Sequence, residues 1–191
     1  MTSDEALMLE FQGGSRAAFE ELFARYRQPL YGFFVRRLNN PGRAEDLAQE
    51  TFLAVIRAAS RYEPRASVRT YLYGIALKLL AAERRKFLTS STSGQAAPET
   101  KTDGTPEHVL WVRQAMEKLD APEREILMLR EYEQLSYSDI AELLRIPVNT
   151  VRSRLFRSRL ALKSYLESEG KNNPAPRTSA GQPQPGRRGM Q

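Results

Sequence analysis

The run LSYSDIAELLRIPVNTVRSRLFRSRLALKSYL, from Leu135 to Leu166, decides the fold of the second half of the chain. Ser136 and Asp139 fit a capping box, in which the two side chains bind free backbone amides at the start of a helix. A short apolar helix follows, and Arg145-Ile146-Pro147 predicts a turn before a longer helix that begins at about Val148. A short helix, a tight turn and a second helix together predict a helix-turn-helix.

Basic charge is concentrated on the second of these helices. From Arg145 to Lys163 there are six basic residues and no acidic one, so this segment alone equals the net charge of +6 of the whole chain. One face of the helix, with Val151 and Leu155, is left for the core. Arginines on the other faces could bind phosphates or read guanine edges, which predicts a recognition helix for duplex DNA. The alternative is a solvated basic face on an ordinary helix.

The first half of the chain also has helical patterning. Apolar residues between Phe19 and Leu38 recur at spacings of three and four, although Pro29 should kink or break that helix. Asn40-Pro41 predicts the cap and first turn of a second helix. Ser67 can cap a third helix, which ends in Arg84, Arg85 and Lys86. Since no segment alternates convincingly at period two, we expect no sheet.

Two segments are poor in large apolar side chains. Residues 89–105 are small and polar, and residues 169–191 are rich in Pro, Gly, Asn and Gln. Such segments bury too little surface to offset the entropy of ordering them, so we expect a flexible linker and a disordered tail. The predicted fold class is therefore all-α, with two small helical domains, residues 1–88 and 106–168, joined by the flexible linker. The second domain is the helix-turn-helix.

Composition excludes several functional classes. The chain has no cysteine, which excludes disulfide scaffolds, thiolate metal sites and cysteine catalysis and suits a reducing cytosol. His108 is the one histidine, so a site with several histidine ligands is excluded too. No apolar run approaches the length of about 18 residues that a membrane span needs. We therefore expect a cytoplasmic protein that is not an enzyme, with no cofactor, no metal and no small-molecule substrate.

Three segments resemble bacterial sigma factors of the extracytoplasmic-function group, which belong to the sigma-70 family. Residues 135–166 resemble region 4, and the run AEDLAQETFLAVIRAASRYEP, Ala44 to Pro64, resembles the region 2 helix that docks on the clamp helices of the RNA polymerase β′ subunit. The helix from Ser67 to Lys86 resembles the adjoining promoter-melting segment. The resemblance covers about 150 of the 191 residues in the order of the family.

The resemblance implies a sigma factor that binds core RNA polymerase and directs promoter-specific transcription initiation. Residues 1–88 would be region 2, which binds the polymerase core and recognises and melts the -10 element. Residues 106–168 would be region 4, which recognises the -35 element. The implied partners are the β′ clamp helices, the β flap, promoter DNA and an anti-sigma factor. The alternative is a conventional helix-turn-helix regulator that acts without core polymerase and uses the first domain for dimerisation or sensing.

The resemblance also implies three groups of site residues. The group expected to bind polymerase is Glu45, Asp46, Leu47, Gln49, Glu50 and Phe52. The group expected at the -35 element is Thr150, Arg152, Ser153, Arg154, Phe156 and Arg157. The group expected near the -10 element is Tyr73, Lys78, Arg84, Arg85 and Lys86. Without the resemblance, Glu45 and Asp46 would be acids favoured by a helix dipole, and Phe156 could instead belong to the core.

Some positions depart from the usual pattern of the family. Tyr71 stands where tryptophan is common, and packing against the preceding helices is the alternative to DNA stacking for this ring. Lys78 stands where asparagine is frequent, which changes the expected -10 preference and keeps a donor for phosphate. Arg145 occupies a turn position where glycine is frequent, and a left-handed backbone there would cost about 1 kcal/mol.

Overall fold

The computed structural model describes residues 2–38, 40–90 and 107–172, and over these ranges the chain forms helices and no strand. The predicted all-α class is therefore confirmed. The helices are α1 (Asp4–Gln12), α2 (Arg16–Leu38), α3 (Pro41–Ala58), α4 (Val68–Ser90), α5 (Glu107–Glu117), α6 (Ala121–Glu131), α7 (Tyr137–Leu144) and α8 (Val148–Asn172), with a 3-10 turn at Ala59–Arg61.

The predicted linker and tail fall largely outside the described residues. Within the described part, α4 continues through the first two residues of the predicted linker and ends at Ser90. In the same way, α8 continues past the predicted start of the tail and ends at Asn172. Both helices are thus longer than the sequence pattern predicted. Residues 91–105 and 173–191, for which we expect flexibility and disorder, are not described.

Side-chain caps explain where several helices begin. Asn40 Oδ1 accepts from the Arg43 amide at 3.0 Å, and Ser67 Oγ accepts from the Thr70 amide at 3.1 Å. Each bond satisfies one of the amides that a helix N-terminus leaves without an internal partner. The predictions made from Asn40 and Ser67 are confirmed. By contrast, Asp120 precedes α6 without a side-chain cap bond.

The N-terminal half differs from the sequence prediction in two places. Helix α2 runs through Pro29 without a break, because Pro29 is exposed while Leu30 and Phe33 beside it are buried in the core. This packing offsets the one backbone hydrogen bond that a proline removes. The sequence pattern also did not predict α1, which packs on α2 and buries Leu7 and Met8.

Two helical groups share one continuous core. Helices α1 to α4 pack around Phe33, Phe34 and Leu80, and helices α5 to α8 pack around Ile126 and Leu155. The groups also touch each other, because α4 packs against α7. In the described part of the chain, no helix combines the length and apolarity that crossing a bilayer requires.

Candidate nucleic-acid and protein interfaces

The predicted helix-turn-helix is confirmed at α7 and α8. At the start of α7 the Asp139 amide donates to Ser136 Oγ at 3.1 Å, and the Ser136 amide donates to Asp139 Oδ2 at 3.0 Å. Helix α7 ends at Leu144, and the following residue, Arg145, has a left-handed backbone with φ 54° and ψ 47°. The next amide, that of Ile146, donates to the Ala141 carbonyl at 3.0 Å and closes the turn. This compact turn fixes the angle between α7 and α8.

Helix α8 has a buried face and an exposed basic face. Val151, Leu155 and Ser158 are buried, and the Ser158 hydroxyl donates to the carbonyls of Arg154 and Glu123. The six residues predicted for the -35 element lie together on the first turns of this helix. Arg152, Ser153, Phe156 and Arg157 are exposed, and Thr150 and Arg154 are half-buried.

The sequence left two alternatives for Phe156, a DNA contact or a place in the core, and its exposure decides between them. Its side chain is 69% exposed, so it does not belong to the core. A large aromatic side chain this exposed, with arginines around it, is available for contact with another molecule. The face of α8 therefore combines positive charge with one apolar side chain, and base edges in a major groove offer partners for both.

The exposed arginines of α8 differ in their partners. Arg157 Nε lies 3.0 Å from Glu123 Oε1 of α6, and Arg159 Nη2 lies 2.6 Å from Glu131 Oε1. The Arg152 guanidinium makes only a long local contact, 3.4 Å from Asn149 Oδ1 on its own helix. Within the predicted -35 group, the Arg152 guanidinium thus differs from that of Arg157, which a carboxylate engages.

The predicted polymerase-binding group on α3 divides between exposed and buried residues. Glu45, Asp46 and Gln49 are exposed. Leu47 and Phe52 are buried, and the Phe52 ring packs against that of Phe23 on α2 at 4.7 Å. The prediction that Leu47 and Phe52 face a partner is therefore wrong, because both side chains are buried in the core.

Two residues that the prediction omitted complete the exposed face of α3. Leu53 is 47% exposed and Ile56 is 46% exposed. With Glu45 and Gln49 they follow spacings of four, four and three, so the four side chains form one line along the helix. We call Glu45, Gln49, Leu53 and Ile56 the α3 stripe. The helical period alone would have placed these four residues on one face. It could not have shown that this face stays exposed after the helices pack.

A groove between α2 and α3 borders the α3 stripe. Its volume is about 310 Å³, and its lining includes Phe23 and Tyr31 from α2 and Ala48 and Gln49 from α3. Arg27 from α2 and Glu45 from α3 add opposite charges to this lining. A groove with an apolar floor and charged edges is suited to the side chains of a partner helix.

Glu50 is engaged inside the domain. Its Oε1 accepts from Arg43 Nη1 at 3.1 Å, and Arg43 also makes a two-bond pair with Glu83 of α4 at 2.7 and 2.8 Å. Hydrogen bonding by Arg43 lowers the pKa of the Glu83 carboxyl. Glu50 thus belongs to a polar link between α3 and α4, in contrast to the solvent-facing Glu45.

Tyr73 does not face solvent, which corrects its prediction as a DNA contact. The side chain is buried, and its ring lies 5.5 Å from that of Phe33. Burial raises the pKa of Tyr73, and the nearby Glu133 carboxylate raises it further. Tyr71 is half-buried and packs against Tyr62 with ring centroids 5.3 Å apart, as the packing alternative for Tyr71 predicted.

The remaining residues of the predicted -10 group are exposed on α4. Arg84, Arg85 and Lys86 lie at the C-terminal end of the helix. Lys78 lines a cleft of about 760 Å³ between α4 and α7, and Arg145 lines the opposite wall. The structure therefore does not bring the five predicted residues together on one surface.

Comparison with known proteins finds two sigma-factor segments in this chain. The family described as Sigma-70 region 2 matches residues 22–86, and the family described as Sigma-70, region 4 matches residues 110–162. These ranges cover α3, most of α2 and α4, and most of the second helical group. The order and spacing of both segments agree with the resemblance stated from the sequence.

Curated relatives cover most of the chain. It is 33% identical over 181 residues to the RNA polymerase sigma-H factor of Pseudomonas aeruginosa, covering 86% of this chain and 94% of that protein. It is 35% identical over 170 residues to the ECF RNA polymerase sigma factor SigC of Mycobacterium tuberculosis, covering 86% and 91%.

Solved structures share the fold. CnrH, in a complex with the cytosolic domain of CnrY, matches with a TM-score of 0.64 and 22% identity, over 88% of this chain and 99% of that one. The sigma factor RpoE of Bartonella quintana, in a complex with the anti-sigma factor NepR, matches with a TM-score of 0.62 and 21% identity, over 78% and 96%.

The presence of both regions decides between the two functional alternatives. A conventional helix-turn-helix regulator would account for region 4 and leave the region 2 match over residues 22–86 unexplained. Full-length relatives above 30% identity account for both. The chain therefore belongs to the sigma-70 family, in its extracytoplasmic-function group, and is a sigma factor that directs promoter-specific transcription initiation with core RNA polymerase.

Proposed function

We propose that this sigma factor binds core polymerase through the α3 stripe and reads the -35 element with the first turns of α8. The observation that carries the proposal is the exposure of Leu53 and Ile56 on a helix whose opposite face is fully covered. Two large aliphatic side chains in one line, next to a groove, form a small apolar surface that a partner helix can bury.

The chemistry of the α3 stripe indicates what its partner should offer. Glu45 and Gln49 lie on the N-terminal side of Leu53 and Ile56 along one helix face. A complementary surface needs apolar side chains opposite the aliphatic pair and a basic group opposite Glu45. We assign this role to the β′ clamp helices of the polymerase. The sigma-70 region 2 match, which includes the whole of α3, supports the assignment.

For the -35 element we assign unequal roles to the residues of α8. Arg152 would read a base edge or bind phosphate, since its guanidinium has no carboxylate partner. Phe156 would contact a thymine methyl group, the apolar feature of a major groove. Thr150 and Arg154, which are half-buried, would contact the backbone from the sides of the helix.

For the -10 element we assign the role to region 2, taken as residues 1–88, and within it to the basic part of α4. Lys78, Arg84, Arg85 and Lys86 are exposed and can neutralise backbone phosphates. Residues 106–168 form region 4 in this assignment. We further propose that the protein acts in the cytoplasm as an initiation factor and not as an enzyme. Its partners would include the β flap and an anti-sigma factor, as NepR is for the fold neighbour RpoE.

The test for polymerase docking compares two exposed leucines. Leu53 on α3 is 47% exposed, and Leu9 on α1, outside the α3 stripe, is 45% exposed. We would measure binding of the fluorescently labelled protein to core polymerase for wild type, Leu53→Glu and Leu9→Glu. A carboxylate placed in an apolar contact costs binding free energy unless it finds a partner.

The proposal predicts that Leu53→Glu weakens core binding at least tenfold and that Leu9→Glu changes it less than twofold. Circular dichroism should show equal helix content for the three proteins. If Leu53→Glu binds core polymerase as tightly as wild type, the α3 stripe is not the docking surface.

A further inference from the structure

Helix α1 ends before the segment that matches the sigma-70 region 2 family begins. It is nevertheless tied to the core of region 2. Its side chains Leu7 and Met8 are buried, and the helix packs along α2. Asp4 in its first turn accepts from the Tyr26 hydroxyl and from Arg25 Nη1 of α2, the latter at 2.6 Å. The core therefore holds α1 in a fixed position, and its polar side chains can in turn hold other segments.

Two polar side chains of α1, Glu5 and Gln12, lie on the same face of the helix. They are seven positions apart, which is about two helical turns or about 10 Å. We call residues 59–67, which join α3 to α4, the α3–α4 connection. Helix α1 packs against the 3-10 turn at the start of this connection and against α4 at its end. Glu5 and Gln12 are therefore placed to reach its two ends.

Gln12 holds the start of the α3–α4 connection. Its side-chain Nε2 donates to the carbonyls of Ser60 and Tyr62 at 3.3 and 3.1 Å. A primary amide carries two N–H donors, so this one side chain satisfies two carbonyls where the chain leaves helical structure. The Tyr62 side chain is buried, with its ring against that of Tyr71 on α4. A backbone hydrogen bond and ring packing thus fix Tyr62 together.

Glu5 holds the end of the α3–α4 connection. Its Oε1 accepts from the amide of Val68, the first residue of α4, at 3.2 Å. A helix N-terminus leaves such amides without an internal partner and favours negative charge, so the carboxylate stabilises the start of α4. Burial raises the pKa of Tyr62, and the nearby Glu5 carboxylate raises it further. Glu5 therefore lies close to both ends of the connection.

Between these two attachment points the α3–α4 connection carries exposed charges. Glu63 and Arg65 are exposed, and their side chains pair at 2.5 Å. With Arg61 they line the cleft of about 760 Å³ that Lys78 of α4 also lines. Lys78 is one of the residues to which we assign contact with the -10 element. The connection therefore forms one wall of that surface, and its position determines where the charges of this wall lie.

We propose that α1 positions the α3–α4 connection for -10 recognition, with Glu5 and Gln12 as positioning residues that do not touch DNA. This inference rests on the proposed -10 role of region 2. A connection held only by the ends of α3 and α4 would sample many arrangements, and ordering it on DNA would cost binding free energy. Contacts from α1 order it beforehand, which favours the DNA sequence that fits one arrangement.

The first part of the test measures the mobility of the connection in the free, full-length protein. The chain has no cysteine, so a single spin label at Glu63→Cys reports on the connection alone. Gln12→Met keeps the length of the side chain without its donor, and Glu5→Ala removes the acceptor. Glu10→Ala is the matched control, because Glu10 is exposed on the same helix and its removal changes the charge equally.

We expect the label to be more mobile in Gln12→Met and Glu5→Ala than in Glu10→Ala and in the protein without these changes. Circular dichroism verifies that each variant folds. Should Glu5→Ala fail to fold, Gln12→Met decides alone, since the Gln12 side chain is exposed. Unchanged mobility of the label in the folded variants would overturn the proposal.

The second part measures the selectivity of polymerase reconstituted with each unlabelled protein. Single-stranded oligonucleotides with a randomised segment identify the strand that wild type prefers, and the readout is its affinity relative to a scrambled strand. We expect this ratio to fall about fivefold in Gln12→Met and Glu5→Ala, the size of effect that one lost hydrogen bond gives. It should stay within about twofold in Glu10→Ala. Gln12→Lys keeps a donor and should restore the ratio.

Two results would contradict the positioning role. One is a more mobile connection with an unchanged selectivity ratio. The other is an equal loss of binding to a -35 duplex, which would mean general damage to the protein. If polymerase with the wild-type protein prefers no strand, the proposed -10 role of region 2 fails and the positioning role fails with it. The mobility of the label would still decide whether α1 holds the connection.

Discussion

Arg157 Nε on α8 lies 3.0 Å from Glu123 Oε1 on α6, and the adjacent Ser158 hydroxyl donates to the Glu123 carbonyl. Helix α8 is therefore fixed to α6 at one point by an ion pair and a hydrogen bond to the same residue. Because its charge is partly compensated, Arg157 has less to offer DNA than Arg152, whose partner is an amide oxygen on its own helix.

Arg152→Ala should weaken binding to a -35 duplex by about tenfold to a hundredfold, the range for an arginine that reads a base edge. The measurement is competition between promoter duplexes that differ at single positions of the -35 element. Lys163→Ala, which removes an equal charge farther along α8, should leave the preference at those positions unchanged. Equal losses for the two variants would mean that α8 contributes charge alone.

Arg157→Ala should weaken -35 binding less than Arg152→Ala, because it removes a guanidinium that Glu123 already holds. A double-mutant cycle with Glu123→Ala, followed by urea unfolding, measures their coupling in the free protein. For an exposed pair we expect about 0.5 kcal/mol. Zero coupling would show that Arg157 and Glu123 do not hold each other in solution.

The stability of the Glu83→Gln variant should depend less on pH in the acid range than that of wild type. Hydrogen bonds from Arg43 hold the pKa of Glu83 below its ordinary value, and the pair spans α3 and α4. Since the folded-state pKa is the lower one, the pair stabilises the fold above the unfolded pKa of about 4.3, and this stabilisation is lost as the pH falls through the folded pKa.

Thermal unfolding between pH 7 and pH 3 tests this linkage. Glu83→Gln should unfold at a lower temperature than wild type at neutral pH, and the two curves should converge at the acid end. Glu20→Gln is the control, since Glu20 pairs with Arg16 on the exposed surface of α2. A constant difference between Glu83→Gln and wild type at all pH values would contradict the role given to the Glu83 charge.

Arg145→Gly should stabilise region 4 by about 0.5 to 1 kcal/mol, because glycine adopts the left-handed backbone of this position without the strain of a side chain. Arg145→Ala removes the same charge and keeps the strain. Chemical unfolding should therefore separate the glycine variant from both wild type and alanine. If the glycine and alanine variants are stabilised equally, the effect comes from removing the Arg145 charge.

Local features of the fold were predictable from sequence, and contacts between distant segments were not. The Ser136 and Asp139 capping box depends on neighbours within a few positions, so it could be predicted from the local sequence. Tyr73 was predicted to be available to DNA, but Phe33 and the region 4 residue Glu133 cover it. Only the tertiary structure shows that Tyr73 is covered.

The candidate docking surface shows a second limit. The helical period places Leu47 and Phe52 about 140° apart on α3, and Ile56 only about 40° from Phe52, so large apolar residues continue from the buried face onto the exposed one. Which face is buried depends on where α2 packs, and a single helix pattern does not contain that information. The prediction therefore included Leu47 and Phe52, two residues that lie in the core.

The most direct test of the central claim is run-off transcription with purified core polymerase on a promoter library, with and without this protein. The account predicts transcripts that start downstream of one shared motif only when the protein is present, and their loss with Leu53→Glu but not with Leu9→Glu. Specific duplex binding by the protein alone, with no initiation that depends on core polymerase, would contradict it.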